Sequence, residues 1–107
     1  MNITDRFLKY VSIWTTSDDT TGTTPSTARQ MDLARYLRDE LTQMGLEEVT
    51  MDENGYVMAT LPANTEGKPV IGFIAHMDTA PDASGADITV FVTNTYGADG
   101  DQDGVPD

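Results

Sequence analysis

The chain holds a single histidine, His76, and an aspartate two positions later, Asp78. In extended backbone, residues i and i+2 point to the same side, so this imidazole and carboxylate can reach one site. Two readings suit the pair. A metal-bound imidazole commonly donates its second ring N–H to a carboxylate, which fixes the tautomer and strengthens the ligand. On that reading His76 is a metal ligand and Asp78 the acid that orients it. The same spacing also serves a hydrogen-bonded structural pair, and one histidine falls short of the three protein ligands that catalytic zinc generally takes. The chain has no cysteine, which excludes a disulfide framework, a thiolate metal site and a Cys nucleophile.

The elements that would position the pair can be read from hydrophobic pattern. Val70-Ile71-Gly72-Phe73-Ile74-Ala75 carries no polar side chain, which predicts a strand buried on both faces between helices. Gly72 would allow a close approach by a neighbour. His76 would then emerge just beyond the strand's carboxyl end, where open α/β sheets bind ligands. Upstream, Thr4 is placed to cap a short helix with Ile3, Phe7, Leu8 and Val11 on one face and Arg6 and Lys9 turned away. Residues 15–27, dominated by Thr, Ser, Asp and Gly, read as a solvated, mobile loop.

Thr27 and Gln30 have capping-box spacing and open the clearest helix. Leu33, Ala34, Leu37, Leu41 and Met44 share one stripe of it, and Arg35, Arg38, Asp39 and Thr42 lie opposite. Gly45 stands where a helix needs a left-handed residue. This is a scaffold helix with no chemistry of its own. Asn54-Gly55 predicts a hairpin between strands 48–53 and 56–61, with Pro62 ending the second and a turn over 64–68. The fold class expected is α/β: helix, helix, β-hairpin, buried strand.

At 107 residues the chain is one domain at most, or part of one. Its 18 acidic against 6 basic residues give a net charge of −12, so neither nucleic acid nor an anionic membrane is expected as a partner. No apolar run approaches the ~18–20 residues that span a bilayer. The opening residues Met1 to Trp14 lack a basic stretch followed by an apolar core, so a cytoplasmic location is the default expectation. All six bases fall before residue 86, and the last 22 residues hold five aspartates and no base. That shift divides the chain into 1–85 and a divergent, Asp/Gly-rich tail over 86–107. Within the tail, residues 88–93 alternate as a strand would.

Ile71-Gly72-Phe73-Ile74-Ala75-His76-Met77-Asp78-Thr79-Ala80, continuing through Pro81-Asp82-Ala83-Ser84-Gly85, resembles the first metal motif of the co-catalytic zinc exopeptidases. Within them it is most similar to the peptidase T family of tripeptide aminopeptidases. The likeness extends back through Ala59-Thr60-Leu61-Pro62-Ala63-Asn64, Met44-Gly45-Leu46, Pro25-Ser26-Thr27 and Arg6-Phe7-Leu8-Lys9-Tyr10-Val11-Ser12, so it covers roughly residues 3–85. The resemblance implies the N-terminal part of a mixed-sheet catalytic domain that uses two zinc ions to release the N-terminal residue of a tripeptide. It makes His76 a zinc ligand and Asp78 the acidic residue, counted as catalytic, that orients the imidazole. The family's bridging aspartate, Glu-Glu pair, further Asp ligand and second His ligand have no counterpart in these residues. The expectation is therefore a truncated chain, inactive alone, and partly unfolded or oligomeric.

Asp99-Gly100-Asp101-Gln102-Asp103-Gly104-Val105-Pro106-Asp107 offers an alternative. It resembles the Asp-rich calcium repeats of thrombospondin type 3 modules, and aspartates at i, i+2 and i+4 beside a Gly turn can wrap a hard cation. The loop lacks a distal bidentate Glu, so any Ca²⁺ affinity should be no better than roughly millimolar. On that alternative the chain is a calcium-binding or structural module.

Overall fold

The computed structural model describes residues 2–91, in which α1 (Ile3–Ser12), α2 (Gln30–Gln43), β1 (Glu47–Met51) and β2 (Val57–Thr60) follow in chain order. This is a small α/β arrangement of two helices and a two-stranded antiparallel sheet. No helix among the described residues is long and apolar enough to cross a membrane.

α2 and the hairpin form the packed unit. Leu33 and Ala34 are buried, Leu37 and Leu41 half-buried, and Met44 is exposed at the end of the stripe. The helix packs on both strands. Its C-terminus closes as a Schellman motif: Gly45, at φ 85°, donates to the Thr42 carbonyl, and Leu46 donates to Leu41. The N-terminus departs from a capping box. Gln30 Nε2 donates to the Thr27 hydroxyl at 3.0 Å and to Ser26 Oγ at 3.1 Å, while the Thr27 hydroxyl itself donates to the Thr16 carbonyl. Thr27 therefore ties α2 to the preceding loop and leaves the helix amides without a side-chain cap.

The hairpin lies where Asn54-Gly55 placed it, with different turn chemistry. Thr50 pairs with Met58 and Met51 with Val57, and Asp52 organises the connection. Its carboxylate accepts the amides of Asn54 and Tyr56, and its carbonyl accepts that of Gly55, which takes the left-handed φ of 85°. Only Gly55 of the pair has positive φ, so this is a longer loop built on an Asx turn instead of the two-residue I′ turn. In β1, Glu48 adopts φ 53° and the register slips between Glu47 and Thr50. Glu48 and Val49 thus stand opposite Ala59 as a bulge, which bends the strand.

α1 keeps only part of its expected orientation: Leu8 and Val11 of the apolar face are half-buried, but Ile3 and Phe7 are not and Arg6 turns inward. Asn2, in extended conformation, caps it by accepting the Asp5 amide at 2.8 Å, and Thr4 lies inside the helix. None of its residues is buried, and Ile3 and Phe7 are exposed. The charged face makes the contact: Arg6 Nη2 donates to Glu40 Oε1 (3.3 Å) and Met44 Sδ (3.2 Å), and the Tyr10 hydroxyl donates to the same Glu40 oxygen. Lys9 sits 5.4 Å from the Tyr36 ring centre. Burial alone would raise the Glu40 carboxyl, but the Tyr10 and Arg6 hydrogen bonds outweigh it and hold that carboxyl below the usual glutamate range.

The expected buried strand over Val70–Ala75 is corrected. These residues form no strand, and Val70, Phe73 and Ile74 are 98%, 93% and 100% exposed. An apolar run becomes a central strand only when strands flank it and helices cover both faces. The described residues supply one hairpin, which pairs with itself. Among the described residues no neighbour stands within 4 Å of a Cβ built at Gly72, so none of them makes the close approach expected there. Residues 88–91 are not in a strand; Val92 and Thr93 of that expected strand, and the whole Asp99–Asp107 stretch of the calcium alternative, lie outside the described residues.

Candidate metal centre

His76 lies at the end of this exposed run, and its imidazole is 85% exposed. Nδ1 stands 2.8 Å from Asp78 Oδ1. The alternation expected of extended chain therefore brings the two side chains together. A carboxylate at Nδ1 holds the ring proton there and leaves Nε2 as the lone-pair donor.

The segment carrying the pair is fixed just beyond it. Thr79 forms a parallel bridge with Thr16. Its amide donates to the Thr15 carbonyl (3.3 Å), and its own carbonyl accepts the Ser17 amide and the Ser17 hydroxyl, both at 2.9 Å. Thr15 is 3% exposed. The loop over 15–27 is thus a docking strip as well as a solvated connection. Asp18 accepts the Thr20 hydroxyl and amide, which hold its carboxyl below the usual range, and its own amide donates to Ser26 Oγ. Trp14 Nε1 donates to Thr16 Oγ1 at 2.9 Å, and the Arg29 guanidinium lies 3.8 Å from the centre of the Trp14 ring.

Gly85 completes the clamp. A Cβ there would overlap Thr16 Oγ1 and stand 2.9 Å from Thr79 Oγ1, closer than such atoms approach. A side chain at 85 would therefore wedge the bridge open. On the other side, Met77 reaches the hairpin: a Cβ at Gly55 would lie 3.0 Å from Met31 Sδ and 4.0 Å from Met77 Cε.

The nitrogen–carboxylate pair suits zinc, whose sites favour imidazole with an outer carboxylate on the second ring nitrogen. His76 would hold the ion through Nε2, with Asp78 behind it. Among the described residues no three His, Asp or Glu side chains gather as a metal cage. Thr15, Thr16 and Ser17 were not marked by sequence reasoning, and Thr79 and Gly85 entered it only as members of the motif around His76. The bonds among these residues run largely through backbone groups, and for Thr15, Thr16 and Ser17 the one available signal was the density of Ser and Thr before α2.

No family model matches the chain. It is 54% identical over 100 residues to a peptidase T of Parabacteroides distasonis, covering 92% of this chain and 25% of that protein. It is 53% identical to a peptidase T of Geobacillus kaustophilus over 86% of this chain and 23% of that one. A peptidase T of Caldanaerobacter subterraneus is 54% identical over 88% and 23%, respectively. The chain spans about a quarter of the length of the relatives it matches.

Proposed function

This chain is a relative of peptidase T that spans a quarter of its length, and from that premise we propose that it supplies the His76 corner of a zinc-dependent tripeptide aminopeptidase. The observation that carries the proposal is the 2.8 Å contact between His76 Nδ1 and Asp78 Oδ1, which occupies one ring nitrogen and supports Nε2 as the ligand. His76 holds the metal, and Asp78 keeps the proton on Nδ1 so that the ring cannot present the wrong nitrogen. Zinc, when bound, polarises a scissile carbonyl and supplies hydroxide near neutral pH. The remaining donors come from the part of a peptidase T that this chain does not span. The substrate is a tripeptide, cleaved after its first residue, and the setting is the cytoplasm. Alone, the chain is expected to release nothing from a tripeptide.

The test is a chimera in which this chain replaces the matching quarter of the Parabacteroides distasonis peptidase T. Zinc-dependent release of the first residue from a tripeptide is expected, and its loss with His76→Ala. A chimera whose activity is indifferent to His76→Ala overturns the proposal.

A further inference from the structure

The His76–Asp78 contact needs something to hold it, because His76 and the six residues before it lie open to solvent. Among the described residues, every hydrogen bond that joins residues 62–91 to the earlier part of the chain runs through Thr79. Thr79 directly follows Asp78, so its amide, held by Thr15, fixes the peptide plane next to the Asp78 side chain, and its carbonyl, held by Ser17, fixes the plane after it. The grip is backbone on backbone and therefore directional. It also depends on an empty volume, since a Cβ at Gly85 would fall onto Thr16 Oγ1 and within 2.9 Å of Thr79 Oγ1.

We infer that the Thr16–Thr79 bridge, closed over Gly85, is the positioning device that lets Asp78 select the Nδ1–H tautomer of His76. Thr79 and Gly85 are positioning residues: neither contacts the imidazole. The inference rests on the reading of His76 as a zinc ligand oriented by Asp78, and it adds which residues do the orienting. A hydrogen bond to one ring nitrogen decides which nitrogen carries the proton. An imidazole released from Asp78 loses that bias.

The chain's single histidine gives the test one signal to follow. A long-range proton–nitrogen NMR spectrum of the ¹⁵N-labelled protein, at a pH where the imidazole is neutral, reports which nitrogen is protonated. The wild type is expected to show mainly Nδ1–H. Gly85→Ala is expected to shift the ring to mainly Nε2–H while the helical circular dichroism of α1 and α2 stays unchanged. Removing both hydroxyls from that variant (Thr16→Ala with Thr79→Ala) vacates the space and should restore Nδ1–H, whereas Thr79→Ala alone should leave it untouched. If Gly85→Ala loses its helical signal, Ser17→Pro becomes the deciding variant. It removes both donors to the Thr79 carbonyl and is expected to give the same shift. Nδ1–H persisting in the deciding variant overturns the clamp and spares the ligand reading. Mainly Nε2–H in the wild type overturns both.

Discussion

At the scale of single residues, one imidazole carries the proposed site, and in the proposal its two nitrogens do different work. Asp78 stands at Nδ1, and in the proposal Nε2 takes the metal. Carboxylates placed behind a ligating histidine typically contribute 10–100-fold to metal affinity. In the peptidase T chimera, Asp78→Asn should therefore weaken zinc binding by about 10–100-fold, measured by competition with a chelator of known affinity; an unchanged affinity would remove Asp78 from the site. The contact between His76 and Asp78 was legible in the sequence because alternation along an extended chain is simple geometry. Thr15, Ser17 and Thr79 were not, because they act mostly through N–H and C=O groups that every residue other than proline possesses. Gly85 was visible only as part of a motif, and its reason for being glycine, a space shared with two hydroxyls, appears only when residues 16, 79 and 85 meet.

At the scale of elements, what could be read was what local physics decides. Gly45 marked the end of α2, and the backbone there takes φ 85° with no neighbour among the described residues within 4 Å of a would-be Cβ. The cost of Gly45→Ala is then purely conformational, about 1–2 kcal/mol, and should appear as a lower denaturant midpoint with an unchanged slope. The face of α1 could not be read this way. Its apolar stripe promised burial, but the partner on offer was Glu40 of α2, so Arg6 and Tyr10 turned inward and Ile3 and Phe7 stayed in water. Because Glu40 is held below its usual range when folded, its contribution is complete above the unfolded glutamate pKa. That contribution is lost as pH falls through the lower, folded value. Glu40→Gln should therefore flatten the acid limb of the stability curve and leave less difference between neutral and acid pH; an acid limb identical to wild type would show that the α1–α2 contact carries no such linkage.

At the scale of the whole molecule, the apolar run Val70–Ala75 records the largest gap between pattern and structure. Six residues without a polar side chain specify a buried strand only in company, and here Val70, Phe73 and Ile74 stand in water. An exposed, uncharged, β-prone window without an internal proline invites pairing between copies. Sedimentation velocity should show association that rises with concentration, and Ile74→Lys should return the protein toward monomer; a wild type that stays monomeric at high concentration would contradict this. The same run delivers His76, so a segment open to solvent carries the candidate ligand. The central claim, that His76 holds a zinc ion in a peptidase T framework, is tested most directly by the metal content of the purified chimera. His76→Ala is expected to lower the zinc bound per chain by one ion under conditions that saturate the parent chimera. Equal zinc in the two proteins would contradict the claim.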